Sequence, residues 1–128
     1  MIYLDSSVVL ARLFVEPRSL PDSAFRSSLV SSGLLEYEVW NRIHVRGLTH
    51  SHGNATRDFL NRVVLLELSP EILARALEPF PMPVRTLDAL HLATAIYLRD
   101  QPNEIEFASF DHRLRTGARA LGVPLFEP

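Results

Sequence analysis

Short apolar runs alternate with stretches of helical spacing along the whole chain. Ile2 to Leu4 reads as a buried strand, and Ser6 or Ser7 is placed to cap a helix running to about Phe14, ahead of the breaker Pro17. Pro21 to Ser28 carries the proline and aspartate of a weak helix start. Leu29 to Ser31 is the next strand, followed by a helix from about Gly33 to Arg46 in which Leu35, Val39 and Ile43 form an i, i+4, i+8 stripe. Gly47 to Gly53 reads as a loop. Asn54 to Val64 reads as a helix entering the apolar Leu65 to Leu68, and Ser69-Pro70-Glu71 opens a short helix to about Leu77. The prolines of Pro79-Phe80-Pro81-Met82-Pro83 forbid helix or central strand, and too little chain follows to build a second core. This segment is therefore a rigid connector inside one domain spanning residues 1–128.

Beyond it, Thr86 can cap a helix to about Leu98 that is apolar almost all round, through Leu87, Ala89, Leu90, Leu92, Ala93, Ala95 and Ile96. Such a helix is buried. Ile105 to Ala108 is a strand, Asp111 to Leu121 a helix stopped by Gly122, and Val123 to Leu125 a last strand. The alternation predicts an α/β fold with a central parallel sheet and helices on both faces. Ligands of such sheets bind beyond the carboxyl ends of the strands, which here means just after Leu4 and Phe107.

Composition narrows the classes. The 128 residues, 47% of them hydrophobic, suit a globular core and exclude a disordered or repeat chain. No window approaches the 18 or so apolar residues that a membrane span needs, and the N-terminus has neither a basic region nor an apolar signal core. A soluble, cytoplasmic protein is expected. The absence of cysteine removes disulfide staples, thiolate metal sites and a cysteine nucleophile. All 13 basic residues are arginine, the side chain suited to bidentate phosphate contacts, although codon bias explains the same bias. Without lysine the chain lacks the residue that receiver domains and haloacid-dehalogenase-like phosphatases use to manage phosphoryl charge. It also has no Gly-rich phosphate loop and no G-x-S-x-G elbow, and Asp5-Ser6-Ser7 lacks the phosphatases' second aspartate two residues on.

Four acids stand where elements begin or end beside apolar runs: Asp5, Glu38, Asp88 and Asp111. If gathered, they form a metal site, since unit charges ~4 Å apart repel by about 4 kcal/mol at an effective dielectric of 20 and need cations or protons to persist. Each also has an ordinary reading. Asp5 and Asp111 can be helix N-caps, and Asp88 can pair with a helix dipole. Glu38 can bridge to Arg42 at i, i+4, and periodicity leaves Glu36 and Glu38 equivalent at opposite edges of the stripe. With the four set aside as neutralised, the 13 arginines outnumber the remaining acidic residues, so the net charge of -2 does not exclude a polyanionic partner. His44, His50 and His52 offer a second metal site or, more simply, a solvated loop.

Four segments in order carry a family resemblance: Tyr-Leu-Asp-Ser-Ser at 3–7, Ser-Ser-Gly-Leu-Leu-Glu-Tyr-Glu-Val at 31–39, Leu-Asp-Ala-Leu-His-Leu-Ala-Thr-Ala at 87–95 and Phe-Ala-Ser-Phe-Asp-His-Arg-Leu at 107–114. Together they resemble the PIN-domain ribonucleases, and among them the VapC-type toxins of toxin–antitoxin pairs. The resemblance spans residues 2 to about 125. It implies a three-layer α/β/α fold and makes Asp5, Glu38, Asp88 and Asp111 the catalytic, metal-holding quartet. Glu38 is selected over Glu36 because it follows Leu34 by four residues. Ser6 and Ser109 match small hydroxyl positions that orient a carboxylate or a water. One departure is visible, since the family often has arginine three residues after its glutamate, where this chain has Asn41 and then Arg42.

The implied activity is a Mg²⁺- or Mn²⁺-dependent endoribonuclease in which a metal-activated water cleaves a phosphodiester, as hard oxygen donors without cysteine suit. Arg12, Arg85, Arg113 and Arg115 are the candidate phosphate contacts, with surface solvation as their ordinary role. The resemblance also implies an RNA substrate, a homodimer and a cognate antitoxin covering the acidic cleft. Val8 to Phe14 and especially Trp40 are candidate contact surfaces. The alternatives are a non-catalytic PIN-like RNA- or protein-binding module, and a metal-dependent nuclease or phosphatase with another substrate.

Overall fold

A computed structural model describes residues 1–128. Three residues, Ile2–Leu4 (β1), start the chain, and all three are buried. Helix Ser6–Leu13 (α1) follows, then a 3₁₀ turn at Ala24–Arg26, strand Leu29–Ser32 (β2) and helix Leu34–Val45 (α2). Helix Thr49–Leu60 (α3), strand Val63–Leu66 (β3) and helix Pro70–Ala76 (α4) lead to the proline-rich connector. The chain closes with helix Thr86–Arg99 (α5), strand Glu106–Ala108 (β4) and helix His112–Ala120 (α6).

The four strands are all parallel and lie in the order β3-β2-β1-β4. Registers pair Tyr3 with Val30 and with Phe107, and Leu29 with Val63. Successive side chains of a strand point to opposite faces, and this alternation sorts the core into two layers. Ile2 and Leu4 pack with Val8, Val9, Leu35, Val39, Ile43 and Phe59, from α1, α2 and α3. Tyr3, Val30 and Phe107 pack with Leu92, Ala95, Leu98, Leu114 and Ala118, from α5 and α6. The result is a three-layer α/β/α fold around a parallel sheet, as the alternation predicts. β1 and β2 are buried on both faces, as inner strands of a parallel sheet are, whereas the outer strands β4 and β3 expose Glu106 and Val64.

Several local expectations give way. The stretch 47–53 is a loop only at Gly47 and Leu48, with Gly47 taking the left-handed φ of +68° that ends α2 before α3 starts at Thr49. The buried side of α3 is Gly53, Thr56, Phe59 and Leu60, so its first half shows small residues where an amphipathic pattern would show large ones. Val63 and Val64 leave the helix for β3, where they pair with Leu29 and Val30. β-branched residues fit that pleated, covered position better than a helix end. Pro21 to Ser28 holds only the 3₁₀ turn, and the expected last strand shrinks to one bridge between Leu125 and Phe107.

Candidate active site

The chain steps outward from β1 to β2 to β3, then returns to the other side of β1 for β4. This reversal is a topological switch point, where the loops leaving two neighbouring strand ends diverge and open a crevice. Asp5 follows β1 directly, and Ser109 follows β4.

Asp5 is the N-cap of α1 and only 3% exposed. Its Oδ2 accepts from Ser7 Oγ at 2.6 Å, from Ser109 Oγ at 2.8 Å and from the Ser7 amide at 3.4 Å. The two hydroxyls continue the stitch: Ser7 Oγ accepts from the Phe110 amide and Ser109 Oγ from the Asp111 amide, both at 2.9 Å. Ser6 reaches Asp5 Oδ1 only at 3.5 Å, at the limit of a hydrogen bond. The carboxylate thus joins the ends of β1 and β4 while Oδ1 stays nearly unengaged.

Asp88 sits in the first turn of α5, half-buried. Burial and then the charges of Asp111 and Asp5 raise its pKa, against the opposing pull of His91 and Arg85. Asp88 therefore senses the charges of Asp111, 23 residues on, and of Asp5, 83 residues back. Asp111 is exposed and caps α6, its Oδ1 accepting from the Arg113 and Leu114 amides. Glu38 is in the second turn of α2, its side chain 21% exposed. It forms no ion pair with Arg42; its Oε1 lies 2.6 Å from His91 Nε2. Glu36 is exposed and lies along a separate hollow with Tyr37, Trp40 and His44.

Glu38, Asp88 and Asp111 line one cleft of about 480 Å³ together with Arg85, Thr86, Leu87, His112 and Arg113. Asp5 is buried outside this lining and acts on the cleft through its charge. The four arginines divide. Arg85 and Arg113 line the cleft, whereas Arg12 pairs with Asp22 and lies over Phe25, and Arg115 is held by Ser109 O and Glu127. His44 bonds Thr49 and His52 bonds Ser51, and these imidazoles form no metal site.

The donor set facing the cleft is carboxylate oxygen, the chemistry of Mg²⁺ or Mn²⁺. No group of three or more His, Asp or Glu side chains is placed to hold an ion as they stand. Mg²⁺ commonly takes one or two carboxylates and fills its octahedron with water and phosphate oxygens, so this arrangement fits it in kind. The raising of Asp88 by burial and by the charges of Asp111 and Asp5 marks a place where a cation would relieve repulsion.

The sequence reading passes over three residues. Ser7 bonds Asp5 more closely than Ser6 does, and His112 lines the cleft. His91, 1% exposed, joins Glu38 to Tyr3, whose hydroxyl lies 2.7 Å from His91 Nδ1. The available signal was an isolated imidazole on a helix otherwise apolar on nearly every side.

Fold and cleft define a parallel α/β/α protein with an acidic crevice at its switch point. The chain belongs to the PIN-domain family, whose model, described as the PIN domain, matches residues 2–120. It is 35% identical over 133 residues to ribonuclease VapC46 of Mycobacterium tuberculosis, covering 99% of this chain and 97% of that protein. Ribonuclease VapC35 of the same species is 33% identical over 134 residues, covering 100% of this chain and 97% of the relative. Ribonuclease VapC47 is 25% identical over a similar length, again covering 97% of the relative. No solved structure matches the chain.

Proposed function

We propose that this chain is a Mg²⁺- or Mn²⁺-dependent endoribonuclease, the toxin of a VapBC-type toxin–antitoxin pair. The observation that carries the reading is the convergence of Glu38, Asp88 and Asp111 on one cleft at the switch point, with Asp5 buried at the adjoining strand end. Relatives named as ribonucleases over nearly the full length support the choice of RNA. Asp5, Glu38, Asp88 and Asp111 would hold the ion, which when bound supplies a Lewis acid that lowers the pKa of water and offsets phosphate charge. Arg85 and Arg113 face the same cleft and bind the phosphate oxygens on either side of the scissile bond. Ser109 and Ser7 keep Asp5 oriented. A water attacks phosphorus in line with the departing 3′-oxygen and gives its proton to solvent, while the P–O3′ bond breaks and the 3′-oxygen takes up a proton from solvent. The products carry a 3′-hydroxyl and a 5′-phosphate.

No helix is long and apolar enough to cross a membrane, and we place the activity in the cytoplasm. The hollow adjoining the cleft, lined by Ser6, Leu10, Glu38, Asn41, Arg42, Val45 and Leu87, suits an antitoxin segment that covers Glu38. A homodimer belongs to the same reading, and a purely monomeric mass in solution would count against it.

The test is cleavage of total cellular RNA by purified, antitoxin-free protein with Mg²⁺, with Mn²⁺ and with EDTA, alongside Asp5→Asn and Asp88→Asn. Discrete fragments that disappear with chelation and in both variants are expected. The alternative is a PIN-like module that binds RNA without cleaving it. A folded parent that binds RNA and leaves it intact in both metals would establish that alternative.

A further inference from the structure

Tyr3 and His91 are a phenol and an imidazole buried against a largely apolar layer of the core. Tyr3 is fully buried and His91 nearly so, and neither lines the cleft. Of the buried polar residues of α5, Thr94 bonds its own backbone at Leu90 O, whereas His91 reaches across to α2. The hydrogen-bond roles follow from chemistry. A carboxylate only accepts, so His91 Nε2 must carry a proton and donate it to Glu38 Oε1 at 2.6 Å. In the neutral ring Nδ1 is then the acceptor, and the Tyr3 hydroxyl donates to it at 2.7 Å. The phenol ring is itself held, stacked on Phe107 with centroids 5.0 Å apart and planes 10° from parallel. Phe107 lies on β4 beside Tyr3, so the chain of contacts starts on the sheet and ends at the cleft.

Glu38 Oε1 is therefore engaged by the protein, while Oε2 makes no hydrogen bond to it and the residue faces both the cleft and the adjoining hollow. We propose that Tyr3 and His91 are positioning residues that fix the Glu38 carboxylate so that Oε2 is presented to a divalent cation. This rests on the metal-site reading above. His91 does not meet substrate or ion; it sets the rotamer and the direction of a side chain that does. An unrestrained glutamate on a helix surface would have three rotatable bonds to freeze on binding, and the relay freezes them beforehand.

The test compares the parent with Tyr3→Phe, His91→Gln and His91→Leu, reading Mn²⁺ affinity by calorimetry, kcat and KM on RNA, and folding by thermal melts. Glutamine carries an amide N–H at about the reach of Nε2, whereas leucine fills the space and donates nothing. His91→Leu should weaken Mn²⁺ binding by about 10- to 100-fold, the range seen when a ligand's hydrogen-bond partner is removed. His91→Gln should recover most of that loss, and Tyr3→Phe should weaken binding by at least about threefold with its stacking intact. Where RNA is cleaved, kcat should fall with KM for RNA little changed.

A purely structural role predicts lower melting temperatures with one Mn²⁺ affinity throughout, and that outcome overturns the proposal. So does a folded His91→Gln that binds no better than His91→Leu. If His91→Leu does not fold, Tyr3→Phe decides, and parent-like affinity there rejects the relay. A parent that binds no Mn²⁺ overturns the metal-site reading itself and takes this inference with it.

Discussion

At the scale of single residues, Asp5 does two separable jobs. Its Oδ2 caps α1 and accepts two hydroxyls that tie β1 to β4, while its charge acts on Asp88. Alanine loses both: a lost N-cap costs about 1 kcal/mol, and each buried hydroxyl left without its acceptor adds about 1 kcal/mol or more. Asparagine keeps a carbonyl oxygen in the same place. Asp5→Ala is therefore expected to lower unfolding free energy in urea by about 2–3 kcal/mol and Asp5→Asn by about 1 kcal/mol, with RNA cleavage lost in both. Equal destabilisation by the two would show that charge, not acceptor geometry, holds the strand ends together.

Val15 is a separate case, a β-branched residue at the left-handed φ of +51° with its side chain 87% exposed. Val15→Asn should stabilise by about 1 kcal/mol in the same assay. Sequence pattern could place Asp5, Asp88 and Asp111 at the starts of elements, yet periodicity left Glu36 and Glu38 equivalent and only the family resemblance chose Glu38. What separates their surroundings is an imidazole 53 residues further on, a contact that exists only after α2 and α5 face each other across the sheet.

At the scale of elements, the stripe Leu35, Val39, Ile43 and the apolar helix α5 were legible because large side chains mark the buried face. α3 was half hidden because Gly53 and Thr56 occupy its buried face. That difference can be tested with two helical glycines. A β-carbon at Gly53 would sit 4.0 Å from Trp40, ordinary contact, so Gly53→Ala gains helix propensity without a clash. It should stabilise by about 0.5–1 kcal/mol. At Gly117 the β-carbon would lie 2.9 Å from Leu92 Cδ1, on a side chain with no exposed surface into which to retreat. Gly117→Ala should destabilise by about 1–3 kcal/mol through overpacking between α5 and α6. Thermal melts that moved both variants in one direction would contradict this account of where the helices touch. The lost last strand has an equally local cause: after α6 the chain meets the sheet at one bridge, Leu125 to Phe107, and continues as irregular structure.

For the whole molecule, parallel pairing and two-sided covering follow from the alternation of apolar runs and helices, but strand order does not. Nothing in the spacing of Ile2–Leu4 or Glu106–Ala108 says that these strands are neighbours; their pairing and the resulting switch point are properties of the assembled sheet. The same assembly makes stability depend on pH in a definite sense. Asp88 is raised above its ordinary carboxylate value by burial and by Asp111 and Asp5. His91 is lowered by burial, its largest single influence, but Glu38, Asp5 and Asp88 together raise it by more, so its net shift is upward from 6.5. Both groups bind protons more tightly folded than unfolded. Their contribution to stability is therefore fully present below the unfolded pKa and is lost as pH rises through the folded one.

For Asp88 that loss begins above about pH 4, and for His91 above about pH 6.5. In EDTA, the urea midpoint of the parent should fall between pH 6 and pH 8.5. Glu38→Gln removes the charge that raises His91 and should flatten that fall, and Asp88→Asn should flatten the part below pH 6. Mg²⁺ added at pH 8.5 binds the folded state and should restore stability by RT ln(1 + [Mg²⁺]/Kd) in the parent. A parent whose midpoint rises with pH in EDTA, or whose slope is unchanged by Glu38→Gln, would mean that the Glu38–His91 pair does not exist in solution.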